Sequence, residues 1–165
     1  MTFTPSPASA LSVRRTTVDD PLARPLLDEL AYEYNLRYGS ADDLDRYPPE
    51  EFATPGGAFL LLLEQGRPVA GGAYRRYDDG TAELKRIWTH SAHRRRGLAR
   101  RVLTVLEREA ADAGYTRIFL TTGPRQPEAK GLYLAAGYRP LFDVSADPES
   151  IGPLPFEKHL ETPKP

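Results

Sequence analysis

Apolar residues recur along this chain with two periods, and the switches between them divide it into elements. Leu11-Ser12-Val13-Arg14 alternates and reads as a first strand. From Asp19 onward, Leu22, Leu26, Leu27, Leu30, Tyr34 and Tyr38 fall at helical spacing. Asp19 or Asp20 starts this helix, Pro21 fits its first turn and Gly39 stops it. Pro25 either sits in the opening turns or divides the helix. Residues 40–57 are polar and broken by Pro48, Pro49 and Pro55. Residues 58–63 are apolar without interruption, as in a strand buried on both faces. Gln65-Gly66 turns the chain into a second strand over 69–77, where Gly71-Gly72 signals a bulge or close packing. Asp78-Asp79-Gly80 is a hairpin turn that delivers the strand 83–89. Three strands in succession make an antiparallel meander.

The second half changes topology. Leu98, Val102, Leu106 and Ala110 mark a helix that ends at Ala113-Gly114, and residues 117–121 form the next strand. Strand, helix and strand at this spacing make a crossover, so strands 83–89 and 117–121 run parallel. Pro127 opens another helix, Gly137 caps it, and strands follow over 138–143 and 155–160. The fold class is therefore α/β: a central, mostly antiparallel mixed sheet with one parallel pair, flanked by helices. One domain is expected over 11–161, preceded by a flexible tail over 1–10. The strand edge near the C-terminus is left either covered or open to a second subunit, as in a homodimer.

Composition narrows the class. The 165 residues are 40% hydrophobic and 27% charged, with a net charge of −1. That balance argues against a nucleic-acid partner, which calls for a large basic excess. No run approaches a membrane span and no signal peptide is visible, so a cytoplasmic protein without a membrane partner is expected. Without cysteine there is no disulfide and no thiolate nucleophile, and with three histidines and no carboxylate set beside them no metal site is expected. Arginine use with only four lysines suggests a GC-rich bacterial genome.

The arginines that do occur are concentrated. Arg94, Arg95, Arg96, Arg100 and Arg101 crowd the start of the helix beginning near Leu98, while Glu107, Glu109 and Asp112 lie toward its end. This opposes the helix dipole, at a cost of roughly 0.3–1 kcal/mol for each exposed charge. A bound anion, phosphate above all, reverses the sign, because free N–H groups and guanidinium groups converge on it. Gly97 lets backbone approach such a ligand closely. The alternative is a solvated arginine cluster.

Two segments carry a family resemblance. Arg94-x-x-Gly97-x-Ala99 resembles the Gln/Arg-x-x-Gly-x-Gly/Ala signature of the GNAT superfamily of acyl-CoA-dependent N-acetyltransferases. The segment from Gln126 through Ala129, Leu132 and Tyr133 to Gly137-Tyr138 resembles the family's Asn-x-x-Ala-x-x-Leu-Tyr-x-x-x-Gly-Phe/Tyr, with glutamine in place of asparagine. The resemblance implies the GNAT fold, in which acyl-CoA lies between two splayed parallel strands. Main-chain groups near Trp88 and Thr89 would pair with pantetheine; the turn of Arg94, Arg95, Arg96, Gly97, Leu98, Ala99 and Arg100 would hold pyrophosphate, and Gln126 would face the cofactor. It further implies acetyl-CoA as co-substrate and an amine acceptor attacking directly in a ternary complex. Glu83 stands at the family's general-base offset and Tyr133 at the position of its general acid.

Local alternatives stand beside these roles. Glu83 can pair with Lys85 or Arg76 or orient the amine without taking a proton, Tyr133 can be a core aromatic, and Trp88 a half-buried strand residue. Gly131 admits either the cofactor or a neighbouring strand. Asp42, Asp43 and Asp45, near Tyr32, Tyr38 and Tyr47, are either a solvated loop or a lip that attracts a cationic amine. Two rival functions remain on the sequence: an acyl-CoA sensor without turnover, and a polyanion binder acting through the arginines.

Overall fold

The computed structural model describes residues 10–161, with the side chains of Asp43 and Asp45 excepted. The expected tail over 1–10 lies outside the described residues apart from Ala10. Seven strands form one sheet in the order β1-β2-β3-β4-β5-β7-β6. β1 (Leu11–Arg15), β2 (Ala58–Glu64), β3 (Arg67–Asp78) and β4 (Thr81–Thr89) are the expected antiparallel meander. β5 (Arg117–Thr122) runs parallel to β4, and β7 (Leu154–His159) is antiparallel to β5. β6 (Arg139–Pro140) covers part of the far side of β7, so the last strand lies inside the sheet.

The sheet is packed on both faces, as the uninterrupted apolar run of β2 requires. Leu60 and Leu62 face one cluster with Val102, Leu103 and Leu106 of α2 (Leu98–Asp112); Phe59 and Leu61 face the other with Leu26 and Leu30 of α1 (Arg24–Tyr38). Gly71 and Gly72 let both helices approach. A Cβ on Gly71 would meet the Leu60 carbonyl at 2.8 Å and Leu26 Cδ1 at 2.9 Å, and one on Gly72 would meet Ile87 Cδ1 at 2.7 Å and Leu106 Cδ1 at 2.9 Å.

The bulge that these glycines foretold lies across the ladder. Gly71 pairs with Trp88 and Ala73 with Lys85, so Gly72 alone opposes both Arg86 and Ile87. Arg86 takes φ 59°, a left-handed value uncommon for a residue with a Cβ. The extra residue resets side-chain alternation. Leu84 and Ile87 pack against the α2 cluster, whereas Trp88 joins the α1 cluster.

Three elements differ from expectation. The first helix begins as a 3-10 turn over Pro21–Ala23, capped by the Asp20 carboxylate on the Leu22 N–H at 3.0 Å, and Pro25 sits in the opening turn of α1 that follows. The polar stretch before β2 contains 3-10 turns over Asp42–Asp45 and Pro49–Phe52, and Phe52 is buried. The strand expected over 138–143 is paired only at Arg139–Pro140. Its end has a local cause, since Asp143 accepts from the Ser145 N–H at 2.9 Å and turns the chain toward the short α4 (Pro148–Ile151). α3 (Pro127–Ala135) matches its expected start at Pro127.

Opposite effects are expected from two glycine substitutions. Gly71→Ala should cost about 1–3 kcal/mol through overpacking. Gly131→Ala, whose Cβ would meet nothing within 4 Å, should gain up to about 1 kcal/mol from helix propensity. Urea unfolding of the two variants beside the parent measures both signs.

Candidate active site in the wedge between two strands

β4 and β5 pair at only three positions, Thr81–Arg117, Ala82–Ile118 and Glu83–Phe119. Beyond them the strands part, and a cavity of about 1110 Å³ opens into the gap. Its walls include β4 from Leu84 to Thr89, Thr121 and Thr122 of β5, the start of α2, and residues of α1 and α3. The bulge at Arg86 lies just past the last paired position, where bending of β4 adds to the divergence.

The basic turn forms one end of the cavity. A 3-10 turn over Ser91–His93 leads from β4 into it, and Arg95 and Gly97 both adopt left-handed backbone, at φ 64° and 73°. Turns with left-handed residues gather successive N–H groups into an anion-binding concavity. Gly97 is the N-cap of α2, has no side chain to cap it, and is followed by no acidic residue in the first turn. The leading N–H groups are thus left for an acceptor from outside the helix. Arg94, Arg95, Gly97, Leu98, Ala99 and Arg100 line this end. Arg96 does not: it is bound to Glu64 of β2 and lies 2.8 Å from His93 Nδ1. This pair ties the turn to the sheet and leaves Arg96 off the wall where its phosphate contact was expected.

The reversed charge of α2 has a second cause at the other end. Glu107 accepts from the Tyr138 hydroxyl and from Lys158, each at 2.9 Å, and Glu109 pairs with Arg15 at 2.6 Å. These acids are spent on tying α2 to neighbouring strands.

Tyr133 is 6% exposed on α3 and lines the cavity, with its ring 5.7 Å from Tyr138 and 5.6 Å from Phe156. It is both core aromatic and cavity wall. Burial pushes its phenol well above the ordinary tyrosine value, so the hydroxyl keeps its proton at neutral pH. Trp88 and Thr89 also line the cavity, but Trp88 is 4% exposed, a core residue where a half-buried one was expected. Its indole donates to Glu29 Oε1 at 3.1 Å, and the same oxygen accepts from the Ser91 N–H at 3.0 Å.

Glu83, at the expected general-base offset on β4, sits among charged partners. It is 5% exposed and absent from the cavity wall. Arg75, its cross-strand partner and not Arg76, donates to Oε1 at 2.8 Å, and Lys85 stands 3.8 Å from Oε2. Arg75 also binds Glu51 at 2.8 Å. The buried carboxylate is thus the hub of a charge network, of which Lys85 is on the cavity wall.

Gln126 lines the cavity and accepts from the Tyr38 hydroxyl and the Gly123 N–H, both at 3.3 Å. Tyr38 packs so closely on Gly123 that a Cβ there would collide with the phenol. Arg37 donates to the Arg125 carbonyl at 2.7 Å and Arg125 to the Arg37 carbonyl at 2.9 Å. This clasp joins the end of α1 to the loop before α3 and walls the cleft on that side. Neither partner was singled out in the sequence, because nothing local marks a contact 88 residues apart. Asp42 is exposed and off the wall, Tyr32 is 71% exposed, and Gly131 has no strand beside it. Asp43 and Asp45 carry side chains outside the described residues.

A mixed sheet opened by diverging parallel strands, with a helix start free to meet an anion, is the architecture of acyl-CoA-dependent N-acyltransferases. Residues 26–138 match the Acetyltransferase (GNAT) family, and the chain belongs to that family. It is 27% identical over 141 residues to the uncharacterised N-acetyltransferase YjgM of Escherichia coli, across 81% of this chain and 84% of that one. With the uncharacterised N-acetyltransferase YsnE of Bacillus subtilis it shares 34% over 93 residues, which span 53% of this chain and 62% of that relative. The fold is similar to that of a GNAT acetyltransferase from Staphylococcus aureus, with TM-score 0.71, 16% identity and coverage of 92% and 100%. It is also similar to a GNAT acetyltransferase from Elizabethkingia anophelis crystallised with acetyl-CoA, with TM-score 0.65, 16% identity and coverage of 91% and 98%. Among the described residues no helix is long and apolar enough to cross a membrane, and no cluster of potential metal ligands is present.

The Glu29 bridge yields a pH test. Desolvation raises its carboxyl pKa, but hydrogen bonds from Ser91 and Trp88 outweigh that and leave it below the ordinary value of 4.5. Its contribution to stability is therefore present above pH 4.5 and lost as pH falls through the lower folded value. The stability gap between parent and Glu29→Gln, measured by urea unfolding, should be widest near neutral pH and narrow below about pH 4.5.

Proposed function

We propose that the protein transfers the acetyl group of acetyl-CoA to a primary amine by direct attack in a ternary complex. The observation that carries this is one continuous cavity joining the arginine-lined start of α2, the open edge of β4 and Tyr133. The residues fit the co-substrate. Arg94, Arg95 and Arg100, with the free N–H groups after Gly97, suit pyrophosphate, and β4 beyond Glu83 has main-chain groups unpaired with β5 for an extended pantetheine arm.

Amide formation joins the amine nitrogen to the acetyl carbon and breaks the bond from that carbon to sulfur. The amine gives up one proton, and the departing thiolate takes one. Tyr133 assists at sulfur. With its acidity weakened by burial, the phenol is a poorer acid than an ordinary thiol, near pKa 8.5, so it stabilises the thiolate by donating a hydrogen bond more than by surrendering its proton. Glu83 contributes through the charges it holds. Since it lies off the cavity wall, it reaches the amine only through an intervening group or a water, and acts as a positioning residue. With no cysteine in the chain, the direct route needs no thiol nucleophile.

Calorimetric titration with acetyl-CoA tests the cofactor site. The parent should bind and Gly97→Glu should not, since a carboxylate at a left-handed position in the phosphate turn both strains the backbone and repels the ligand; a parent that does not bind sinks the reading. Tyr133→Phe should lower kcat by roughly tenfold or more with acetyl-CoA affinity kept. Glu83→Gln should lower kcat and also lower stability by about 1–3 kcal/mol, because it removes the carboxylate charge opposite Arg75 Nη1 and Lys85 while Glu51 still holds the guanidinium.

A further inference from the structure

The wall of the cavity nearest the inner end of the wedge is cationic, and we propose that it selects an amine acceptor that also carries a carboxylate. The inference rests on the acetyl-transfer reading and names the acceptor class for the same cleft. Lys85 stands two residues past Glu83–Phe119, the last paired position, which by strand rise is about 7 Å into the gap. Its side chain is 15% exposed and lies on the cavity wall. The ammonium is held 5.0 Å from the centroid of the Tyr47 ring, and Arg75 stacks on the same ring at 4.2 Å.

The acids of this cluster are turned elsewhere. Glu83 takes its short contact from Arg75 and reaches Lys85 only at 3.8 Å, beyond hydrogen-bond distance; Glu51 also binds Arg75. Neither carboxylate is on the cavity wall, whereas Lys85, Tyr47 and Arg86 are. An ammonium has three donors, and at this distance Glu83 leaves them available to a second anion. In a partly buried site the attraction between opposite charges is several times its value in water. A carboxylate set on Lys85 leaves the amine of the same molecule free to lie farther along the cavity, toward Tyr133. A polyamine meets the reverse field, because a second ammonium would face Lys85. The acids that do line the cavity are paired elsewhere, Glu33 and Glu128 with Arg37 and Glu149 with Arg125, so the charge beside Lys85 opposes the cationic acceptor that the aspartates over 42–45 suggested.

The test measures CoA release with amino acids, their matched decarboxylated amines and carboxamides, an aminoalkyl phosphonate and spermidine, on the parent, Lys85→Met and Lys85→Arg. Carboxylate acceptors should exceed their matched amines in kcat/KM by roughly tenfold or more. Lys85→Met should erase that preference through acceptor KM with the KM for acetyl-CoA unchanged, and Lys85→Arg should restore most of it. Preference for spermidine, the decarboxylated amines or the phosphonate overturns the inference, as does a carboxylate preference that survives Lys85→Met. If no amine releases CoA, the transferase reading fails separately. Calorimetry with N-acetyl amino acids on CoA-loaded protein then decides the site: binding lost in Lys85→Met supports it, and no binding to the parent overturns it.

Discussion

The structure depends on a single irregularity in β4. One extra residue opposite Gly72 resets the side-chain alternation, sending Ile87 toward α2 and Trp88 toward α1. It lies immediately beyond the point where β4 and β5 cease to pair, so the same stretch that binds two cores together also opens the cavity between them. A regular strand would place Trp88 on the face of Leu84, leaving the α1 cluster without its largest ring and Glu29 without its indole donor. The bulge is stabilised from both faces: Gly72 gives Ile87 and Leu106 their space, and the Arg86 side chain lies over Phe52 at 4.3 Å while donating to the Leu44 carbonyl.

Charge is distributed by the same division of labour. At the start of α2, guanidinium groups and uncapped N–H groups share a small volume, an arrangement that repels itself until an anion enters. Arg96 escapes this by binding Glu64, which fixes the turn while its neighbours stay turned to the cavity. At the end of α2, Glu107 and Glu109 hold Tyr138, Lys158 and Arg15. A helix charged against its own dipole is therefore one whose ends both face partners beyond the helix.

Around Glu83 the charges form a relay of contacts instead of a free base. Arg75 satisfies the carboxylate, Tyr47 stacks on Arg75, and Lys85 presents the outermost charge to the cavity. Burial and the charged partners Arg75 and Lys85 fix Glu83 in the sheet, off the cavity wall. That surrounding is invisible in a motif, which records only identity and offset.

Much of the fold was legible in the sequence because its determinants are local. Alternation set β1, an unbroken apolar run set β2, Asp79-Gly80 set the β3–β4 turn, and helical spacing with Gly97 and Gly114 set α2. The basic turn was legible for the same reason, as arginine, glycine and helix start are adjacent in the chain. What only tertiary structure decided concerns long separations. The clasp between Arg37 and Arg125, the partners of Glu83, the burial of Phe52 and the departure of Arg96 from the cavity all depend on which strand or helix lies across the gap. The shortening of the expected strand over 138–143 is local by contrast, since Asp143 and Ser145 turn the chain away from the sheet. Local pattern determines which face of an element is apolar, and packing determines which charged groups are left facing the space between elements.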